Sequence, residues 1–341
     1  MKPIVNAQAV LAGDRRAIAR ALTEVENDSK QGSDLLDELF VHSGKAHLVG
    51  VTGSPGAGKS SLVNQIVHNI RQSKKTQQVK IGIIAVDPSS PFTGGAILGD
   101  RVRMRDLSGD SGVFIRSMAT RGTLGGLARK TSAFVQILDA AGYDMVLIET
   151  VGAGQSEVDI ARLAHTTIVV ESPGMGDDIQ AIKAGILEIA DILVVNKADH
   201  PMADLTLRAL KANMELAKPR QFSAIERLHH HTFAFEPVPV LTPDVSDSET
   251  WIPPIFSTIS TKGEGIEELV QSILAHKDYL QKNGQWRQRE SARLQEELND
   301  LMLAQFASQW RKTVDNERIK VVVRDLLERK YSPQQALKEL T

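Results

Sequence analysis

The 341-residue chain contains no cysteine. That excludes a disulfide framework, thiolate metal sites and cysteine nucleophiles, and it fits a reducing compartment. It also lacks a dominant charge: 40 Lys and Arg face 42 Asp and Glu, for a formal net charge of −2. No net basic field is present to draw in nucleic acid or an anionic membrane surface. No window approaches the ~18 consecutive apolar residues of a membrane span. The first residues, MKPIVNAQAVLAGDRRAIARAL, mix charge into short apolar patches and lack the apolar core of a signal peptide. Internal repeats and low-complexity tracts are missing as well. These absences predict a cytoplasmic protein with neither a nucleic-acid nor a membrane partner. The length suggests one large domain with appendages, or two domains.

What is present divides into three stretches. Residues 1–45 read as a helical extension: Ile18, Ala21, Leu22 and Val25 follow the N-cap candidate Asp14, and Leu35, Leu36, Leu39 and Phe40 follow Ser33. From 46 to 271, short β-branched runs alternate with helical ones. The strand candidates are HLVGVTG, VKIGIIAVD, GVFIRSM, YDMVLIET, TTIVVES, DILVVNKAD and PPIFSTIS. This alternation predicts an α/β fold, a mostly parallel sheet covered by helices on both faces. Its ligand should lie beyond the carboxyl ends of the strands. Residues 219–254 are richer in Pro, Ser, Asp and His and read as a loop-like insertion. Residues 272–341 read as a helical arm, with an apolar stripe of Leu294, Leu298, Leu301, Met302, Phe306 and Trp310. Periodicity leaves open whether that stripe is a core face or a dimer seam. The final helix should start at Ser332-Pro333.

Four motifs carry chemistry, and each follows a strand candidate. GSPGAGKS, residues 53–60, matches G-x-x-x-x-G-K-[ST] between a strand and a helix. Backbone N–H groups of Gly53, Ser54, Gly56, Ala57 and Gly58 would cradle phosphates, with Pro55 shaping the loop and Ser61 in the following turn. Lys59 would reach the β- and γ-phosphates, and Ser60 would ligate Mg²⁺. In NKAD, Asp199 can accept from the N1–H and 2-amino group of guanine, the Lys197 stem can pack on the ring, and Asn196 can brace the loop. Adenine offers no such donor pair, so GTP and GDP are the expected ligands. YDMVLIETVG ends in Glu149, which can hold the Mg²⁺ shell, followed by Gly152, whose amide can sense the γ-phosphate. DPSSPFTGGAILGDRVRM supplies two more ligand candidates, Asp87 and Asp100. Lys59, Glu149 and Gly152 are the catalytic candidates. Arg101, Arg103, Arg116 and Arg121 could serve the transition state, but structural ion pairs are the commoner use of such residues. Gln155 is not beside Gly152, so no water-positioning group stands out, and weak intrinsic hydrolysis is expected. His229-His230-His231 reads as loop filler rather than a metal site.

Together these motifs, with ETVGAGQSE and ESPGMGDDIQAIKAG, resemble those of the MeaB/ArgK family of P-loop GTPases, the family of the human methylmalonic aciduria type A protein. The resemblance spans nearly the whole chain. It implies a GTPase chaperone of adenosylcobalamin-dependent methylmalonyl-CoA mutase that acts in cofactor loading and protection. It also implies an Mg²⁺ sphere of Ser60, Asp87, Asp100 and Glu149, and a homodimer formed through the C-terminal arm. A partner-coupling switch would fall at 172–183, with Asp177, Gln180 and Lys183 as its candidates. Ile259, Ser260 and Thr261 take the place of the second base-contact loop, where relatives read Ser-Ala. Two alternatives are an ATP-dependent kinase linked to periplasmic lysine/arginine/ornithine-binding-protein transport and a metal-delivery GTPase.

Overall fold

The computed structural model describes residues 6–88, 104–120, 126–150, 156–174, 188–216 and 250–340. All seven strand candidates form: β1 (His47–Gly53), β2 (Ile81–Pro88), β3 (Val113–Thr120), β4 (Met145–Thr150), β5 (Thr166–Glu171), β6 (Ile192–Asn196) and β7 (Ile255–Thr258). They build one sheet in the order β3-β2-β4-β1-β5-β6-β7. Every pairing in it is parallel.

Successive side chains of a strand point to opposite faces, and the two cores follow that period. Leu48, Ile84, Val86, Val146 and Ile148 enter one core with the N-terminal helices. Val49, Val51, Ile81, Ile83, Met145 and Leu147 enter the other. The first core is closed by α1 (Ala7–Leu11), α2 (Arg15–Glu26), α3 (Lys30–Phe40), α5 (Gly126–Ala140) and α6 (Ser156–Leu163). The second is closed by α4 (Lys59–Gln72) and α8 (Ile266–Lys282). Between them, α7 (Ala203–Leu216) follows β6.

Asp14 caps α2, accepting from Arg16 and Ala17 N–H at 2.8 Å. The expected start of α3 after Ser33 is corrected to Ser29, whose Oγ accepts from Gly32 N–H at 2.9 Å. The helix therefore takes in the polar residues Lys30 to Gly32 ahead of Ser33. Arg116 pairs with Glu26 of α2 at 2.6 Å, a structural ion pair.

The chain divides into two compact units, Met1–Arg293 and Leu294–Thr341. The second holds the remainder of α9 (Gln285–Thr313), α10 (Asn316–Leu327) and α11 (Pro333–Leu340). The last helix starts as expected. Ser332 Oγ accepts from Gln335 N–H at 3.3 Å while Gln335 Oε1 accepts from Ser332 N–H at 2.9 Å, a reciprocal cap. No described helix is long and apolar enough to cross a membrane.

A buried polar cluster seals the amino ends of β1, β5 and β6. Arg289 of α9 forks onto Asp191 with two bonds of 2.8 Å. His47 Nε2 meets Thr166 Oγ1 at 2.7 Å, and Thr166 Oγ1 meets His276 Nδ1 at 2.9 Å. His165 Nδ1 accepts from Leu48 N–H, leaving its Nε2–H to bond Glu290 at 2.6 Å. Burial drives the His276 pKa down from 6.5 to about 4, more strongly than Asp191 raises it. Burial alone would raise Glu290, but His165 and Arg293 outweigh it and hold the carboxyl at about 2.

The unfolded chain protonates His276 near pH 6.5 and the folded chain only near pH 4. Across that window the unfolded state binds the extra proton, so stability falls as pH drops, by about 1.4 kcal/mol per pH unit for one such histidine. The urea midpoint, followed by tryptophan fluorescence, should decline from pH 6.5 to 4.5. His276→Gln should flatten that decline, and an unchanged slope would show that the proton is taken up elsewhere.

Candidate nucleotide site

The loop between β1 and α4 passes over the carboxyl end of the sheet, as the strand-end motifs predict. Its backbone is shaped by close packing. Gly53 has φ +127° and lies so near β5 that a Cβ would sit 2.0 Å from the Val170 carbonyl oxygen. Gly58 has φ +90°, and a Cβ there would lie 2.5 Å from Asn196 Nδ2. Neither position admits a side chain. The loop tip at Pro55-Gly56 is exposed, whereas Ala57, Lys59 and Ser60 are buried and Ser61 is exposed in the first turn of α4.

Lys59 starts α4 and folds back across the loop. Its Nζ donates to Gly53 O at 2.8 Å and Ser54 O at 3.0 Å. Two of the three ammonium donors are thereby directed onto the loop's own carbonyls, and the cation is held over the anion cradle. Ser60 Oγ donates to Glu149 Oε1 in a short hydrogen bond, and both side chains are buried. A hydroxyl beside a carboxylate at a strand end is a hard oxygen donor pair that suits Mg²⁺. Asp87 lies next to last in β2, which pairs with β4 at Val86–Thr150. Its side chain lies outside the described residues, as do Asp100, Gly152, Gln155, Asp177, Gln180, Lys183, the arginines at 101, 103 and 121, and the His229–His231 triplet.

The base-recognition candidates converge from β6 and β7. Asn196 ends β6 and is 2% exposed. Its Nδ2 donates to Ala57 O at 2.8 Å. Its Oδ1 accepts from Thr258 Oγ1 at 3.1 Å, Ser260 N–H at 3.2 Å and Ser260 Oγ at 2.8 Å. Lys197 follows at φ +59°, a conformation that costs a non-glycine residue about 1–3 kcal/mol. That turn sends its side chain back over the phosphate loop, where Nζ donates to Gly56 O at 2.8 Å. The Asp199 carboxylate is half exposed and stands 4.0 Å from Lys262 Nζ. Ser260 is thus committed to bracing Asn196, while Thr261 is exposed and Ile259 starts a turn closed by its N–H on Glu264 O at 3.1 Å.

Two residues outside the sequence-based candidates join this set. Thr258 braces Asn196 from β7. Glu171, which closes β5, accepts from Ser54 Oγ at 2.5 Å. The signal for Glu171 was the one used for Glu149, a carboxylate directly after a buried strand.

A candidate phosphate loop with its lysine folded across it, joined through the Asn196 amide to the segment that carries Asp199, fits a P-loop GTPase. The family described as methylmalonyl-CoA mutase-associated GTPase MeaB matches residues 18–315. The chain belongs to the MeaB family of GTPases. A Pyrococcus horikoshii relative, named for GTPase activity and nothing more, is 44% identical over 290 residues, covering 85% of this chain and 82% of that one. The Escherichia coli GTPase ArgK is 34% identical, covering 81% and 76% respectively. The mouse mitochondrial methylmalonic aciduria type A homolog is 33% identical, covering 76% of this chain and 59% of its own. A solved structure described as a LAO/AO transport system kinase superposes with a TM-score of 0.63 over 98% of this chain and 94% of that one. At 24% identity it establishes the shared fold. As a member of this family the chain binds GTP and hydrolyses it.

Truncating Asn196 to Ala would leave Ala57 O, Thr258 and Ser260 without their shared partner. Losing such buried bonds costs about 1–3 kcal/mol each where the remaining group stays dry, so GDP affinity of Asn196→Ala should fall at least about tenfold by calorimetric titration. Affinity within about twofold of wild type would show that the amide does not hold the loops together.

Proposed function

We propose that this GTPase acts as a chaperone of adenosylcobalamin-dependent methylmalonyl-CoA mutase, gating cofactor loading and protecting the mutase through its nucleotide cycle. The observation that carries the reading is the match over residues 18–315 to a family described by its association with that mutase. The name of the mouse relative, a methylmalonic aciduria protein, accords with it.

In this reading the backbone of residues 53–58 cradles the α- and β-phosphates, and Lys59 steadies charge on the β- and γ-phosphates. Asp199 accepts from guanine N1–H and the 2-amino group, and Lys197 covers the ring. Ser60 and Glu149 would hold Mg²⁺, with Asp87 and Asp100 as further ligands and Gly152 sensing the γ-phosphate. When bound, the ion would add positive charge where the triphosphate is most negative. Hydrolysis proceeds by in-line attack of water on the γ-phosphate. The protein contributes chiefly position and preorganised charge. Asp177, Gln180 and Lys183 would couple nucleotide state to the partner.

Self-association through the C-terminal arm belongs to the same proposal. Leu298, Leu301 and Phe306 of α9 are 58%, 47% and 64% exposed, an apolar stripe that a second copy would cover. The compartment proposed is the cytoplasm.

The test is single-turnover GTP hydrolysis, alone and with stoichiometric methylmalonyl-CoA mutase, with ATP as control. Slow cleavage of GTP that the mutase accelerates is the expected result. Intact GTP binding with no response to the mutase would remove the chaperone reading and leave the GTPase in search of another partner. Asp199→Asn should weaken the preference for GTP over ATP; an unchanged preference would assign base reading to another group.

A further inference from the structure

The phosphate loop is gripped from two sides. On the β6 side, Asn196 holds the Ala57 carbonyl. On the β5 side the grip is a side-chain contact, Ser54 Oγ to Glu171 Oε2 at 2.5 Å. That length matches a hydroxyl donating to an ionised carboxylate, roughly twice as strong as a neutral bond. Glu171 is only 6% exposed. It follows directly on Val170, which pairs with Gly53 in the sheet register. Its backbone is therefore fixed by the same ladder that fixes the start of the loop.

Ser54 is the link between this carboxylate and the lysine. Its side chain donates to Glu171, while its carbonyl accepts Lys59 Nζ at 3.0 Å and Ala57 N–H at 3.2 Å. A rotation of the Ser54 peptide would move one of the two carbonyls that aim the ammonium. Against such a rotation the Ser54 carbonyl has, from the backbone, one long bond of 3.2 Å from Ala57 N–H. The side-chain bond to Glu171 does resist it.

We propose that Glu171 is a positioning residue for the phosphate loop, fixing Ser54 and through its carbonyl the direction of the Lys59 ammonium. The proposal rests on the phosphate-binding role given to Lys59 above. Glu171 would act through Ser54 rather than on the phosphates, so its influence should fall on the rate of cleavage more than on nucleotide affinity. The same carboxylate begins the ESPGMGDD segment, so the link also joins the loop to that segment's root.

The experiment measures single-turnover GTP cleavage and GDP affinity for Ser54→Ala, Glu171→Ala, the double variant and Glu171→Gln, with Lys59→Ala as control. Ser54→Ala and Glu171→Ala should each slow cleavage by about tenfold, the worth of one hydrogen bond to a charged group. GDP affinity should stay within about threefold. The double variant should be no slower than either single variant, because both remove one link. Glu171→Gln keeps an oxygen that accepts from Ser54 and should recover most of the rate. A role confined to stability would lower the melting temperature and the fraction of molecules that bind GDP, while leaving the rate per bound GTP unchanged; that result overturns the proposal. So does additivity in the double variant, or Glu171→Gln as slow as Glu171→Ala. Should Lys59→Ala cleave GTP normally, the role of Lys59 fails instead, and the two failures are distinct.

Discussion

A buried carboxamide has to satisfy a donor end and an acceptor end at once, and Asn196 does so by reaching three loops. Its donor end holds the loop after β1 at Ala57, and its acceptor end gathers Thr258 at the end of β7 and Ser260 in the loop that follows. The side chain itself belongs to the segment that carries Lys197 and Asp199. The candidate phosphate loop and the candidate base-recognition segment are thereby held together by one side chain. This arrangement depends on the strand order, since β1, β5, β6 and β7 lie side by side and their parallel direction brings every following loop to one edge. An antiparallel neighbour would have sent one of those loops to the far end.

The same order places carboxylates on both sides of the cradle. Glu149 is next to last in β4 and Glu171 ends β5, and β1 lies between these strands. Two buried carboxylates beside a loop shaped for a triphosphate would raise the cost of bringing in more negative charge. The arrangement offsets this in different ways on the two sides. Glu171 is drawn into a bond with Ser54, within the loop's own frame. Glu149 takes the Ser60 hydroxyl, a pair of hard oxygens that a divalent cation would use. One carboxylate therefore shapes the cradle, and the other suits a cation that accompanies the phosphates.

Most of this was legible in the sequence, for a specific reason. A parallel strand buried on both faces reads as an unbroken β-branched run, so all seven strands could be located, and the ends of those runs marked the site. Glu149 and Asn196 stand at such an end, and Lys59 and Asp199 a few residues beyond one. Glu171 carried the same mark but was overshadowed by the glycine-rich residues behind it. What the chain hides is three-dimensional choice among equal local signals. Ser29 and Ser33 are both competent N-caps, four residues apart, and only the packing of Gly32 against the end of α2 selects the earlier one. Likewise the separation between NKAD and residues 258–260 gives no hint that Thr258 and Ser260 converge on one amide.

The placement of the buried charge follows from what each end of the sheet must do. The carboxyl ends must leave donors available for a ligand, so their loops cannot bury every polar group against one another. The amino ends carry no such demand. There Arg289 forks onto Asp191 with two bonds, and the histidines beside them share bonds with Thr166, Leu48 and Glu290. Breaking such a pair by removing one partner costs about 3–5 kcal/mol, so the cluster fixes the root of α9 to β1, β5 and β6 firmly. These are the strands whose opposite ends carry Gly53, Glu171 and Asn196. A strand of six residues spans about 20 Å, too far for a direct contact but well within the reach of a rigid ladder. By pinning the amino ends of these strands to one another and to α9, the cluster limits how far the loops at their other ends can shift against one another.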